Sequence, residues 1–473
     1  MRHPQSSQNF QPFAIANGFN FSDKTIKVKF MRYSAYKKVQ KILEALPAQV
    51  FATRRENPQL SLARTQKLLD ALGNPEKLLK YIHVTGTSGK GSVVLYLHNI
   101  LKAAGKKVGS YFSPHVVTTT ERIMVNGQLV SVADFLWAFE KARPYLNQTK
   151  KFNKKFIPSH FETLFAMSLL IFKKHKIEWA VIEVGCGGKF DPTNVIPAPK
   201  IAVITNVGLD HQQLLGRTRA RIARNKAGIL KPGTKLFTGE TSPRIQKIIF
   251  DQAKHLRIPR VFIPRPKANI TYQTGWMAWQ HPRLSRIRQK MLGPHQQNNA
   301  NLAIAVAEEL KISRAAIKAG LQKTFLPARI EIRPDSPLVI LDGAHNPDKI
   351  RALVETLKTL GYNQVNCLLG IGEKKAAKTI LKTLRPVVAR WLITQASLPY
   401  PKPLPAKNLG RIFRQTLPKE KFTVWPNCRR ALQNLLRPPN HLPILITGSL
   451  YLAGELRQNW YSERLILSKR SNL

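Results

Sequence analysis

Cysteine and acidic residues are the scarce classes in this chain. Its 473 residues include three cysteines, Cys186, Cys367 and Cys428. They lie far apart and form no CxxC pair, which argues against a disulfide framework or a cysteine-held zinc site and suits a reducing compartment. No apolar run approaches the ~20 residues that a membrane-spanning helix needs. The N-terminal stretch MRHPQSSQNFQPFAIANGF breaks its short apolar pieces with Pro, Asn and Gly and so has no signal-peptide core. Asp and Glu number 26 against 76 Lys and Arg, a formal net charge of +50. That imbalance raises nucleic-acid binding as a function class. The basic residues, however, are spread along the whole chain, with no zinc-finger spacing, no aromatic RNA-binding signature and no long basic tail. General attraction for anionic ligands is the plainer reading.

What is present is an ordinary globular composition, 43% hydrophobic and 22% charged, in a chain long enough for two or three domains. Residues 1–30 read as a disordered basic extension, and a clear helical stretch begins at Met31. YIHVTG (81–86) reads as a strand entering a Gly-rich turn, and Val93, Leu97, Ile100 and Leu101 then fall on one helical face. KKVGSYFS (106–113), WAVIEVG (179–185) and IAVITNVG (201–208) read as strands, and HFETLFAMSLLIFKKH (160–175) as a helix. This alternation predicts an α/β fold whose sheet is mainly parallel and covered on both faces. Periodicity weakens over 233–298. A second alternating series follows Pro327, with strands at 338–343, 365–371, 390–394 and 443–449 and a Pro-rich surface loop at 398–407. The expected division is 31–327 for a P-loop ATP-binding domain and 328–473 for a smaller Rossmann-like α/β domain.

The strongest chemical signal is GTSGKGS, Gly86 to Ser92, between a strand and a helix. Glycines let main-chain N–H groups approach phosphate oxygens, a lysine adds charge, and the helix N-terminus adds its partial positive charge. Gly86, Thr87, Ser88, Gly89, Lys90, Gly91 and Ser92 are therefore the candidate phosphate contacts. The general GxxxxGK[ST] pattern fails here, because Val84 holds the first glycine position and Gly91 separates Lys90 from Ser92. An ordinary Gly-rich turn is the plain alternative. Glu183 and Asp342 each stand at the carboxyl end of a strand, where open α/β sheets place ligands. By themselves, His211 reads as structural, Arg329 as a surface charge and Lys226 as one solvated lysine of a basic helix.

The loop IHVTGTSGKGSV resembles that of the folylpolyglutamate and dihydrofolate synthases, in the Mur ligase superfamily. The resemblance continues in order through SPH (113–115), ERIMVNG (121–127), FE (161–162), EVGCGGKFDPTN (183–194), ITNVGLDHQQLLG (204–216), KAGILKPG (226–233), HQQNNANLA (295–303), LPARIE (326–331), LDGAHNP (341–347) and TGSLYLAGELR (447–457), covering about residues 40–460. It implies that Ser113, Glu183 and His211 hold Mg2+, that Lys226 is carbamylated, and that Asn299, Arg329 and Asp342 grip ATP from outside the loop, with His345 as a further nucleotide contact. Lys90, Lys226 and His211 would be the catalytic set, with a monovalent cation as an additional cofactor. The implied activity joins L-glutamate to tetrahydrofolate through an acyl phosphate. Dihydropteroate is the alternative acceptor, and residues 60–75 lack a clear match to the pattern of bifunctional enzymes. A cell-wall Mur-type ligase and a basic nucleic-acid-binding P-loop protein are the rival classes. The expected partners are ATP, L-glutamate and a folate or pteroate acceptor, with no membrane, no specific nucleic acid and no second subunit, in the cytoplasm. Five departures from the family pattern stand out: Lys189 for Arg, Asn225 for Glu, Ala328 for Gly, EKK (373–375) for an acidic-Lys-acidic run, and Lys402 for Arg.

Overall fold

The computed structural model describes residues 24–47, 57–266, 269–273, 275–373, 375–397 and 402–472. Residues 1–23 of the expected extension, residues 398–401 of the Pro-rich loop and Lys374 of the EKK run lie outside the described residues. Residues 24–30 belong to the helix Lys24–Glu44. No Pro or Gly stands between Lys24 and Glu44, so nothing in the chain stops the helix at Met31.

Eight strands form the first sheet: β1 Lys80–Thr85, β2 Val108–Tyr111, β3 Ile123–Val125, β4 Gln128–Leu129, β5 Trp179–Glu183, β6 Ile201–Ile204, β7 Lys235–Thr238 and β8 Arg260–Phe262. Their order is β4-β3-β2-β5-β1-β6-β7-β8, parallel throughout except where β3 and β4 turn back antiparallel at one edge. β1 is central, paired with β5 through Val84 and Glu183 and with β6 through Thr85 and Ile204. That register brings the carboxyl ends of β1, β5 and β6 side by side. The segments leaving them carry the Gly-rich loop, the GCGG turn and the GLDH segment, so three motifs far apart in sequence meet at one edge of the sheet.

The helix Lys90–Ala103 leaves the central strand with Ser92 to Leu101 all buried. It is apolar on several faces because the helices Pro294–Glu309 and Arg314–Lys323 cover the side turned away from the sheet. The stretch of weak periodicity contains a three-stranded antiparallel sheet, β9 Ile270–Gln273, β10 Trp276–His281 and β11 Ser285–Gln289. The third sheet is built by β12 Glu331–Arg333, β13 Val339–Leu341, β14 Val365–Leu369, β15 Val388–Ile393, β16 Phe422–Val424 and β17 Ile444–Thr447, in the order β12-β13-β17-β14-β15-β16. Only β12 runs antiparallel to its neighbour. No described helix is long and apolar enough to cross a membrane.

The two large sheets are locked together near the site. Val116, Ala328, Leu450 and Ala453 form one buried apolar cluster. A Cβ on Gly454 would lie 1.9 Å from the Val116 carbonyl oxygen. Backbone cannot yield as a flexible side chain would, so Gly454→Ala should cost at least ~1–3 kcal/mol, read as a lower urea midpoint.

Candidate active site

Main-chain contacts set the shape of the Gly-rich loop. The Asn206 side-chain oxygen accepts from the amides of Thr87 and Ser88 at 3.2 and 3.0 Å. The Thr205 hydroxyl donates to the Ser88 carbonyl at 2.6 Å, and the Gly208 amide donates to the Thr87 hydroxyl at 2.8 Å. Gly89 has φ +82, and a Cβ there would stand 2.3 Å from the Asn299 side-chain oxygen. A larger residue is barred by both conformation and space. Asn299, on the helix Pro294–Glu309, is thereby placed directly on the loop. The Lys90 Nζ donates to the Gly86 carbonyl at 3.2 Å and stands 3.8 Å from Glu183. The first-turn amides of the helix that starts at Lys90 have no intrahelical partners and point out of the loop, which makes a ready anion site.

Glu183 is 4% exposed, and its Oε2 accepts from the Ser113 amide at 2.9 Å. Burial raises its pKa, opposed by Lys90 and by the Ser113 amide. His211, in the left-handed region at φ +49, follows Asp210, with 4.0 Å between the imidazole and the carboxylate. Burial lowers its pKa to about 4, against the pull of Asp210 and with Lys90, Lys375 and Lys226 acting in the same direction as burial. The imidazole is therefore neutral at physiological pH and able to ligate. Among the described residues no three His, Cys, Asp or Glu side chains converge into a closed metal cage. The donor set nevertheless suits Mg2+, which takes hard oxygens, one or two protein carboxylates, substrate phosphates and water. Ser113 and Glu183 supply such oxygens within one hydrogen bond of each other.

Lys226 is not solvated as its basic helix suggested: it is 3% exposed. In the helix Arg219–Ala227 the buried residues are Ile222, Ala223, Lys226 and Ala227, while its arginines lie on the other faces. The i, i+4 step from Ile222 to Lys226 was the available sequence signal. Burial first, then the neighbouring Lys90 charge, lowers its pKa to about 7, with Cys186, Asp210 and Asp191 opposing. The helix packs closely on the GCGG turn: a Cβ on Gly187 would stand 2.3 Å from the Asn225 side-chain oxygen.

The third sheet contributes Arg329, Asp342 and His345. Arg329 donates to the Ala328 carbonyl at 2.9 Å. Burial lowers its pKa, and Asp342 and Glu183 oppose that. The Asp342 carboxylate accepts from the amides of Ile330 and Ala344, at 2.9 and 2.7 Å, and so ties the Arg329 loop to the turn after β13. His345 Nδ1 pairs with the Gly343 carbonyl at 2.9 Å. Sequence reading missed Lys349, on the first turn of the helix Pro347–Thr359. Burial, followed by Arg329 and Lys90, lowers its pKa to about 7. No local pattern marks it, because its place depends on how that helix meets the first sheet.

Residues 84–307 match the Mur ligase middle domain and residues 328–450 the Mur ligase glutamate ligase domain. The folylpolyglutamate synthase of Lacticaseibacillus casei is 35% identical over 408 residues, spanning 84% of this chain and 93% of that protein. The chain belongs to the folylpolyglutamate synthase family. The dihydrofolate synthase/folylpolyglutamate synthase of Bacillus subtilis is 32% identical, spanning 84% of this chain and 94% of that protein. The folylpolyglutamate synthase structure from Thermotoga maritima superposes with a TM-score of 0.76 at 30% identity, covering 91% of this chain and 98% of that one. The Mycobacterium tuberculosis enzyme complexed with ADP and AMPPCP superposes at 0.80 with 26% identity, covering 90% and 98%.

Two departures from the folylpolyglutamate synthase pattern acquire a physical meaning. Ala328 sits at φ +52, where glycine is at ease and alanine loses ~1–2 kcal/mol. Its methyl recovers part of that loss by packing with Val116, Leu450 and Ala453. Lys402 pairs with Glu373 at 3.1 Å, so the lysine that stands for Arg meets the acidic residue that the EKK run retains.

Proposed function

We propose that this protein is an ATP-dependent ligase that joins L-glutamate to tetrahydrofolate, in the cytoplasm, through an acyl phosphate. The observation that carries this reading is the convergence of Lys90, Lys226, Arg329 and Lys349 on the Gly-rich loop, with Glu183 and Asp210 as the neighbouring carboxylates. So many cations gathered at one place, Lys226 buried and the other three half-buried, are costly unless a polyanion completes the site, and the triphosphate of ATP has that charge. The loop amides and Lys90 bind the phosphates, and Arg329 neutralises charge from the side of the third sheet. A carboxylate oxygen of the acceptor attacks the γ-phosphorus while the bond to the β–γ bridging oxygen breaks and ADP departs. The glutamate amine then attacks the acyl carbon and expels phosphate. Mg2+, held by Ser113, Glu183 and the neutral His211, would supply charge neutralisation at the phosphates. Seating the nucleotide between the two large sheets keeps water from the acyl phosphate.

The test is ADP release with ATP, Mg2+ and glutamate, comparing tetrahydrofolate, dihydropteroate and no acceptor. Release stimulated by tetrahydrofolate is the expected result. Stimulation by dihydropteroate alone would replace the acceptor assignment, and none by either would defeat the folate reading. Dihydropteroate belongs in the test because the Bacillus subtilis relative carries both activities in its name.

Lys226 is proposed to act as its carbamate. The neutral amine attacks carbon dioxide and gives up a proton, leaving an anion beside the metal residues. An ordinary lysine is ~0.1% neutral near pH 7.5. With its pKa lowered to about 7, Lys226 is mostly neutral there. Because the folded pKa is depressed, the reactive form gains as pH rises through about 7. Bicarbonate stimulation of initial rates should therefore be weak below that pH and strong above it, and absent in Lys226→Ala. A carbamate signal from 13C-labelled bicarbonate checks the same point without turnover.

A further inference from the structure

The helix Pro347–Thr359 starts against the nucleotide loop. Asn346 caps it, its side-chain oxygen accepting from the Lys349 amide at 2.9 Å. A Cβ on Gly208 would lie 3.6 Å from the Asp348 carboxylate and 3.3 Å from the Thr87 methyl. The first turn of this helix and the Gly-rich loop are thus separated by one residue of the segment that follows β6.

Lys349 extends from that turn into an unbalanced electrostatic setting. Among the described residues its Nζ forms no ion pair with a carboxylate, and its recorded side-chain partner is His345 Nε2 at 3.4 Å. His345 is a neutral partner. Its Nδ1–H donates to the Gly343 carbonyl, which leaves the lone pair on Nε2, and burial holds its pKa well below the ordinary value. Arg329, Lys90 and Lys375 all oppose the charge on Lys349, and Asp210 favours it. An ammonium in such a place is suited to an anion that arrives with the substrate.

We propose that Lys349 binds the γ-phosphoryl group of ATP from the third sheet, opposite the Gly-rich loop, and holds it as it passes to the acceptor. This rests on the nucleotide-site reading above. The loop amides and Lys90 meet the phosphates from the side of β1. Lys349 would meet the terminal phosphate from the helix that follows β13, with Asp210 as the carboxylate that favours its charge. During transfer a P–O bond forms to the acceptor carboxylate and the bond to the bridging oxygen breaks. ADP keeps that electron pair, and Lys349, protonated once the polyanion is bound, takes no part in proton transfer.

Equilibrium binding of ADP and of the non-hydrolysable analogue AMPPCP, each with Mg2+, separates this from a structural role. Lys349→Ala should weaken AMPPCP about 10- to 100-fold, the loss of one charge-assisted hydrogen bond, while ADP changes by less than about threefold. Lys349→Arg should recover most of the loss. Equal weakening of both nucleotides, or of neither, would overturn the assignment. Wild-type protein that binds neither nucleotide would overturn the nucleotide-site reading itself, so the two failures are distinguishable. Should Lys349→Ala not fold, Lys349→Gln removes the charge while keeping most of the side chain's length and permits the same comparison.

Discussion

Lys90→Ala should lower the rate of acceptor-dependent ADP release by about two to three orders of magnitude, the scale of one lost electrostatic donor at a transition state, about 2.7–4 kcal/mol. Lys90 is positioned for this by three features. It begins the helix that leaves the central strand. It is held over the loop by the Gly86 carbonyl at 3.2 Å. It faces Glu183 across 3.8 Å. The substitution has a second consequence. Lys90 is the first charged neighbour that lowers the pKa of Lys226, so its removal moves Lys226 back toward the protonated, unreactive form. The two sites are therefore coupled, and Lys90→Ala with Lys226→Ala should lose far less than the product of the single losses. Near-normal turnover in Lys90→Ala would defeat the phosphate-loop assignment. Strict multiplicativity would leave that assignment in place but sever Lys226 from Lys90.

What could be read from sequence was local. The strand–turn–helix around Gly86–Ser92 and the carboxylate at the end of β5 follow from short apolar runs bounded by glycine, and the register of β1 with β5 and β6 then places them together. The antiparallel sheet of β9 to β11 was illegible, because its central strand breaks the alternation, burying Met277, Ala278 and Trp279 in succession. Charge was misleading for the same kind of reason. In a chain with 76 Lys and Arg, a functional lysine carries no contrast. Lys226 could be found from its spacing to Ile222. Lys349 could not, since nothing in PDKIRALVETLKT tells which lysine meets Arg329 and Lys90 across the space between two sheets. Asp342 was located correctly at a strand end, yet the bond it accepts from the Ile330 amide depends on a loop twelve residues upstream folding back.

Arg457→Met should cost about 3–5 kcal/mol of stability, because it strands a buried carboxylate. Arg457 is 0% exposed and its Nε lies 2.9 Å from both oxygens of Glu331, which is itself 4% exposed. The guanidinium also donates to the Asn472 carbonyl at 2.6 Å and lies over the Tyr461 ring at 4.2 Å. The effect reaches the active site through Glu331, whose Oε2 accepts from the Ala328 amide at 3.0 Å. Ala328 precedes Arg329 and occupies a left-handed conformation that its surroundings must hold in place. Freeing Glu331 should therefore loosen the Arg329 loop as well as the fold, and a chemical denaturation curve would show the lower midpoint. At temperatures where Arg457→Met remains folded, the KM for ATP should rise while a variant of equal instability far from the site, such as Leu435→Ala, leaves it unchanged. Equal stability of Arg457→Met and the wild type would mean that the pair is dispensable. An unchanged KM would confine its role to the third sheet. The double variant Glu331→Met with Arg457→Met should recover part of the stability, since no buried charge is then left alone. It should not recover ATP binding, because the Ala328 amide then has no acceptor.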